Sequence, residues 1–122
     1  MPRKESILKL KTEAFAVRIT KLYKYLVGQK ESVISKQIYR SGTSIGANVA
    51  ESINAQSPAD FISKLSIALK EANETEYWLK TLYQGQYIDE NGFQSMFNDN
   101  EEIIKILVKS IKTIKKRESN EE

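Results

Sequence analysis

A chain of 122 residues with 40% apolar and 29% charged side chains can bury one modest core and is too short for two domains. It contains neither cysteine nor histidine, which removes disulfides, thiolate nucleophiles, Cys/His zinc sites and the commonest general base, so most catalysis at neutral pH is disfavoured. The net charge of +3 is uneven: residues 1–30 carry eight basic and two acidic side chains, 31–100 five and nine, 101–122 six and five, so an acidic middle separates basic ends.

Few turn-makers, 5 Gly and 2 Pro, favour long helices joined by short loops. Leu8, Phe15, Ile19, Leu22 and Leu26 share one stripe and predict a first helix over about 6–27, with Gly28 placed to end it. Ile34, Ile38, Ile45 and Val49 predict a second over 32–55, with Ser32 as its N-cap. The third, 58–84, has an unbroken alternation of four and three from Phe61 through Leu65, Ala68, Ala72, Thr75 and Leu79 to Leu82. Ser57 and Pro58 start it and Gly85 follows it. The fourth, over about 90–117, carries Phe93, Met96, Phe97, Ile103, Ile104, Leu107, Ile111 and Ile114. Asn91 and Gly92 read as a turn at its start, and Asn98 to Asn100 as a candidate interruption.

Four such helices with short loops form one all-α domain over 1–122, an antiparallel up-down-up-down bundle. No run approaches the ~20 apolar residues of a membrane span, and residues 1–11 lack the apolar core of a signal peptide. The chain therefore reads as a cytoplasmic protein without a membrane partner. The bundle topology puts the start of the first helix beside the end of the fourth. Arg3, Lys4, Lys9 and Lys11 then approach Lys112, Lys115, Lys116 and Arg117 in one basic pole suited to nucleic-acid phosphates. The competing account is that these lysines meet the negative end of a helix dipole, or that Lys105, Lys109, Lys112 and Lys116 are an ordinary solvated face. Tyr23 and Tyr25 stand beside Lys21 and Lys24, without a recognisable RNA-binding signature.

The second helix is rich in small residues, and glycine inside a helix costs about 1 kcal/mol relative to alanine. Gly42 and Gly46, four apart, point to close helix packing. A phosphate loop is disfavoured because the Walker lysine is absent. Gln37, Arg40, Ser44, Asn48 and Glu51 form a polar stripe beside its apolar face. On the third helix Ile67, Glu71, Glu74 and Trp78 form a second stripe beside the core one. The expectation is a polar network or subunit interface in which Arg40 neutralises Glu71 or Glu74 under Trp78. The alternative is solvated glutamates and a core tryptophan. A di-iron centre lacks its histidines, and a carboxylate hydrolase built on Glu51, Glu71 and Glu74 has no marked cleft. The sequence predicts no enzyme, metal or cofactor.

The run Gln37-Ile-Tyr-Arg-Ser-Gly-Thr-Ser-Ile-Gly-Ala-Asn-Val-Ala-Glu51 is followed by Phe61-Ile-Ser-Lys-Leu-Ser-Ile-Ala-Leu-Lys-Glu-Ala-Asn-Glu-Thr-Glu-Tyr-Trp-Leu79. These two motifs, in this order, resemble the bacterial four-helix-bundle family of proteins encoded in 23S rRNA intervening sequences. The likeness runs from about Phe15 to Ile114, with Ser52 where the family usually has glycine after its Ala-Glu pair. The resemblance implies a bundle assembled as a ring-shaped homopentamer, which gives the second stripe of helix 3 and the small face of helix 2 a use. Family members include the accessory variability determinant of diversity-generating retroelements, which associates with a reverse transcriptase and nucleic acid. The partners this implies are further copies of the chain, RNA or DNA, and a reverse transcriptase or other protein. The functional expectation is a nucleic-acid-binding or adaptor bundle, with a scaffold that recruits a protein partner as the alternative.

Overall fold

A computed structural model describes residues 4–121. It contains α1 (Lys4–Gly28), α2 (Ile34–Ile53), α3 (Pro58–Gln84) and α4 (Glu90–Glu121), with no strand among the described residues. Each helix packs on its neighbour in sequence, and α4 closes the ring on α1. Loops of four or five residues force antiparallel neighbours, giving the up-down-up-down four-helix bundle. The expected stripes face inward: Leu8, Phe15, Ile19 and Leu26 from α1 meet Ile38, Ile45 and Val49 from α2. Leu65, Ala68, Ala72, Leu79 and Leu82 from α3 and Met96, Ile103, Leu107 and Ile111 from α4 complete the core.

The helix ends differ from the sequence reading. Ser32 does not cap α2, which begins two residues later. The Glu31 carboxylate instead accepts backbone N–H bonds from Val33 (3.1 Å), Ile34 (2.8 Å) and Ser35 (2.6 Å). A carboxylate has two acceptor oxygens and a full charge to set against the helix N-terminus, where a serine hydroxyl has neither advantage. Burial raises the Glu31 carboxyl, and the three N–H donors together overcome it, holding its pKa below the ordinary value. Nor is Gly28 the residue that turns the chain out of α1. Lys30 takes the left-handed conformation (φ 65), with Lys30 N–H on the Val27 carbonyl and Glu31 N–H on that of Leu26. Gln86 (φ 68) ends α3 in the same way, its N–H on Tyr83 and that of Tyr87 on Leu82. Both are Schellman endings with a non-glycine residue at the strained position.

At α3 the expected cap is present: the Ser57 hydroxyl accepts from Asp60 N–H at 3.1 Å, and Asp60 accepts in return from Gln56 N–H. Asn91 and Gly92 lie inside α4, because Asp89 caps it by accepting from Gly92 N–H at 2.7 Å. Asn98 to Asn100 do not interrupt the helix. Asn100 is fully buried, and its amide donates to the Ala72 carbonyl across the α3–α4 seam at 2.9 Å. The glycines of α2 serve contact between α1 and α2: a β-carbon on Gly42 would fall 2.6 Å from Cγ1 of Ile19, and one on Gly46 3.3 Å from the Thr12 carbonyl.

Candidate interface sites

Two places carry the polar chemistry expected from the sequence. The first is on the α2–α3 seam. Arg40, in the second turn of α2, reaches across to α3: Nη2 donates to Oε1 of Glu74 at 2.6 Å, and Nη1 lies 3.4 Å from Oε2 of Glu71. Trp78 Nε1 donates to the same Glu74 oxygen at 3.5 Å while its ring packs on the core. The Arg40 side chain is 52% exposed against 13% for Glu71 and 31% for Glu74, so the glutamates are the sheltered partners. The hydrogen bond from Arg40 is the largest influence on Glu74 and holds its carboxyl below the ordinary value. The network therefore joins Arg40, Glu71, Glu74 and Trp78.

Asn48 and Glu51 do not belong to it. Asn48 donates to the Ser44 carbonyl one turn earlier, and Ser44 to that of Arg40, so this stripe bonds along α2 rather than across it. Glu51 pairs with Lys64 at 3.4 Å, more than two turns away from Arg40 along α2. Behind the network is a contact the sequence did not disclose: Thr75 Oγ1 donates to Ser41 Oγ at 2.9 Å in the fully buried seam. Periodicity alone places Thr75 on the core stripe of α3 and leaves Ser41 as one of the small residues of α2.

The second place is the end of the bundle where α4 finishes. Arg3 lies outside the described residues, and of Lys4 only the backbone is described, as the first residue of α1. Lys9 pairs with Glu13 at 3.6 Å and Lys11 with Glu102 at 2.6 Å, so both are partly neutralised by carboxylates. Arg18 similarly ties α1 to α4 through Asp99 at 2.6 Å. Lys112, Lys115, Lys116 and Arg117 are exposed, and no carboxylate within ion-pair distance meets them among the described residues. Lys9 and Arg117 border a common cleft at this end, continuous with one of about 330 Å3 floored by Leu8, Val49 and Leu65.

The extent of α4 bears on the helix-dipole account of these cations. The helix runs to Glu121, with no basic residue in its last turn. The dipole acts over the terminal turn, so it does not explain Lys112, Lys115 or Lys116. Among the described residues no three His, Cys, Asp or Glu side chains are grouped to hold a metal ion, and no helix is long and apolar enough to cross a membrane.

The model of the family described as 23S rRNA-intervening sequence protein matches residues 4–109. A crystal structure of a protein with unknown function, from the S23 ribosomal protein family of Bacteroides thetaiotaomicron VPI-5482, is 58% identical and superposes with a TM-score of 0.89. The match covers 90% of this chain and 99% of that one. No curated protein matches the chain.

Proposed function

The chain belongs to the 23S rRNA-intervening sequence protein family, and on that premise we propose that it is a cytoplasmic, non-enzymatic adaptor: a homo-oligomeric bundle, pentameric in its full assembly, that holds nucleic acid on the basic end. The observation that carries this reading is that Lys112, Lys115, Lys116 and Arg117 are exposed and meet no carboxylate within ion-pair distance among the described residues, and lie before the last turn on which the helix dipole acts. Exposed cations in a row neutralise successive phosphates and release counterions. Five copies of the pole would turn a weak single contact into avid binding. Assembly has its own support: the Arg40 network is flanked by Ile67 and Tyr77, both exposed outside the core, and an aromatic and apolar surface around satisfied polar groups is the make-up of a protein interface.

A labelled single-stranded RNA titrated at rising salt tests the ligand. The wild-type protein should bind at low salt with affinity falling steeply as salt increases, and Lys112→Glu with Lys115→Glu and Lys116→Glu should weaken binding by about tenfold or more and flatten its salt dependence, without loss of helicity. Absence of binding by the wild-type protein at low salt would transfer support to a second reading, a scaffold that recruits a protein partner such as a reverse transcriptase. That reading draws on Leu10 and Val17, exposed seven residues apart on the outer face of α1, the spacing of a helix-docking stripe.

A further inference from the structure

At the other end of the bundle the chain gathers tyrosines. Tyr25 from the end of α1, Tyr83 from the end of α3 and Tyr87 from the following loop line one open cleft of about 600 Å3, together with Gln84, Gln86, Ile88 and Asp89, whose carboxylate accepts from the Gly92 N–H at the start of α4. The three rings are 52%, 36% and 40% exposed. A tyrosine gains more from burial than from such exposure, and Tyr25 and Tyr87 stack on no other ring among the described residues, so their faces are open to the cleft.

The cleft is built rather than loose. Tyr83 stacks on Phe93 with centroids 4.7 Å apart and planes 15° from parallel, and Phe93 leans on Phe97 at 5.3 Å. This column anchors Tyr83 to the first turns of α4. The Schellman ending at Gln86 fixes the loop that carries Tyr87. Ile88 is shared with the adjoining cleft, which is lined by Arg18 and Lys21. Arg18, Lys21 and Tyr25 follow one another at spacings of three and four, so one face of α1 leads from cations to the aromatic cleft. Arg18 is held by Asp99, whereas Lys21 has no carboxylate within ion-pair distance among the described residues.

We propose that this cleft binds an unpaired nucleobase, stacked on the tyrosine rings with its edge toward the glutamine amides and its phosphate toward Lys21. Aromatic rings beside a cation are the combination that holds single strands, since every base has a stacking face and every nucleotide a charge. The proposal rests on the reading of the protein as a nucleic-acid binder and gives that activity a second site, at the opposite end from the lysine row and selective for unpaired bases.

Fluorescence anisotropy with a labelled uridine octamer and an RNA duplex of equal length tests it, on wild type, on Tyr25→Ala with Tyr87→Ala, on Tyr25→Phe with Tyr87→Phe, and on the charge-reversed lysine row. The alanine pair should weaken octamer binding by about tenfold or more while leaving the duplex unchanged. The phenylalanine pair should bind like wild type, because stacking survives without the hydroxyls. Circular dichroism checks that all remain helical. Octamer binding unchanged by the alanine pair but lost on reversing the lysines overturns the cleft and keeps the pole. Loss with the alanine pair alone keeps the cleft and overturns the pole. A wild-type protein that binds neither RNA at low salt overturns both. A proline-rich peptide bound by wild type and lost with the alanine pair, while the octamer is not bound, assigns the cleft to a protein ligand and overturns the proposal.

Discussion

Lys30 and Gln86 show how a single residue can carry strain in a well-formed helix ending. Each sits at φ near 65°, where a β-carbon crowds the following carbonyl, because the two hydrogen bonds that close α1 and α3 require that geometry. Glycine is free of this penalty but loses more entropy on folding, so Lys30→Gly and Gln86→Gly should each stabilise the protein by about 0.5–1 kcal/mol. Urea denaturation of the singles and the double should show nearly additive gains, since the two ends belong to different loops. A loss of stability in either single variant would show that the lysine or glutamine side chain contributes more than the backbone strain costs. Gly28 and Gly85, where the sequence suggested the helix stops, have no positive φ. The glycines thus lie next to the left-handed positions instead of on them.

Between helices, the decisive contact is that of Gly42 with Ile19. All three outer carbons of Ile19 would be within 2.9 Å of a methyl at position 42, so no simple rotamer change clears it, and Ile19 is fully buried. Gly42→Ala should therefore destabilise the bundle by about 1–3 kcal/mol through overpacking, despite alanine's higher helix propensity. Gly42→Ala combined with Ile19→Ala should cost less than the sum of the two singles, because the new methyl occupies space the isoleucine vacates. Equilibrium unfolding of the four proteins gives the coupling directly. Elements of this kind were legible: apolar periodicity placed all four helices and their inward faces, and the small residues of α2 announced close packing, though not that α1 was the helix in contact. The Arg40, Glu71 and Glu74 stripe was legible because spacing along two helices brings like and unlike charges to one seam. Glu31, Asn100 and the Ser41–Thr75 pair were not. Glu31 is local, but Ser32 beside it carries the commoner cap side chain and masks it; Asn100 and the Ser41–Thr75 pair depend on distances across the fold, and nothing in local periodicity distinguishes a buried asparagine that bonds a neighbouring helix from one that breaks its own.

For the molecule as a whole, the carboxylates set opposing dependences on pH. Glu31 and Glu74 have pKa values below the unfolded 4.5, so the stability they contribute is complete above 4.5 and is lost as pH falls through their folded values. Glu76 is raised, by burial first and then by the facing Glu101, against the opposite pull of Lys80. Its contribution is complete below 4.5 and lost as pH rises through its folded value. Urea midpoints should therefore fall on acidification below about pH 4.5, where the Glu76 contribution is already complete and does not oppose the loss; Glu31→Gln should flatten that fall, and Glu76→Gln should raise the midpoint at pH 7. Assembly is expected to depend on the same network that lowers Glu74. In an isolated protomer, Arg40 is half exposed and its pairs are screened, so Arg40→Glu should cost the fold about 1 kcal/mol and leave the helices intact. If the surface around Glu71, Glu74 and Trp78 joins subunits, the same substitution sets three carboxylates against a neighbouring chain with little water to screen them. Light scattering should then give an oligomer for wild type and a folded monomer for Arg40→Glu, with Arg40→Lys intermediate because an ammonium cannot span both glutamates as a guanidinium does. A wild-type protein with the mass of a single chain would remove the subunit role, and an Arg40→Glu protein that remains assembled would locate the interface on another face.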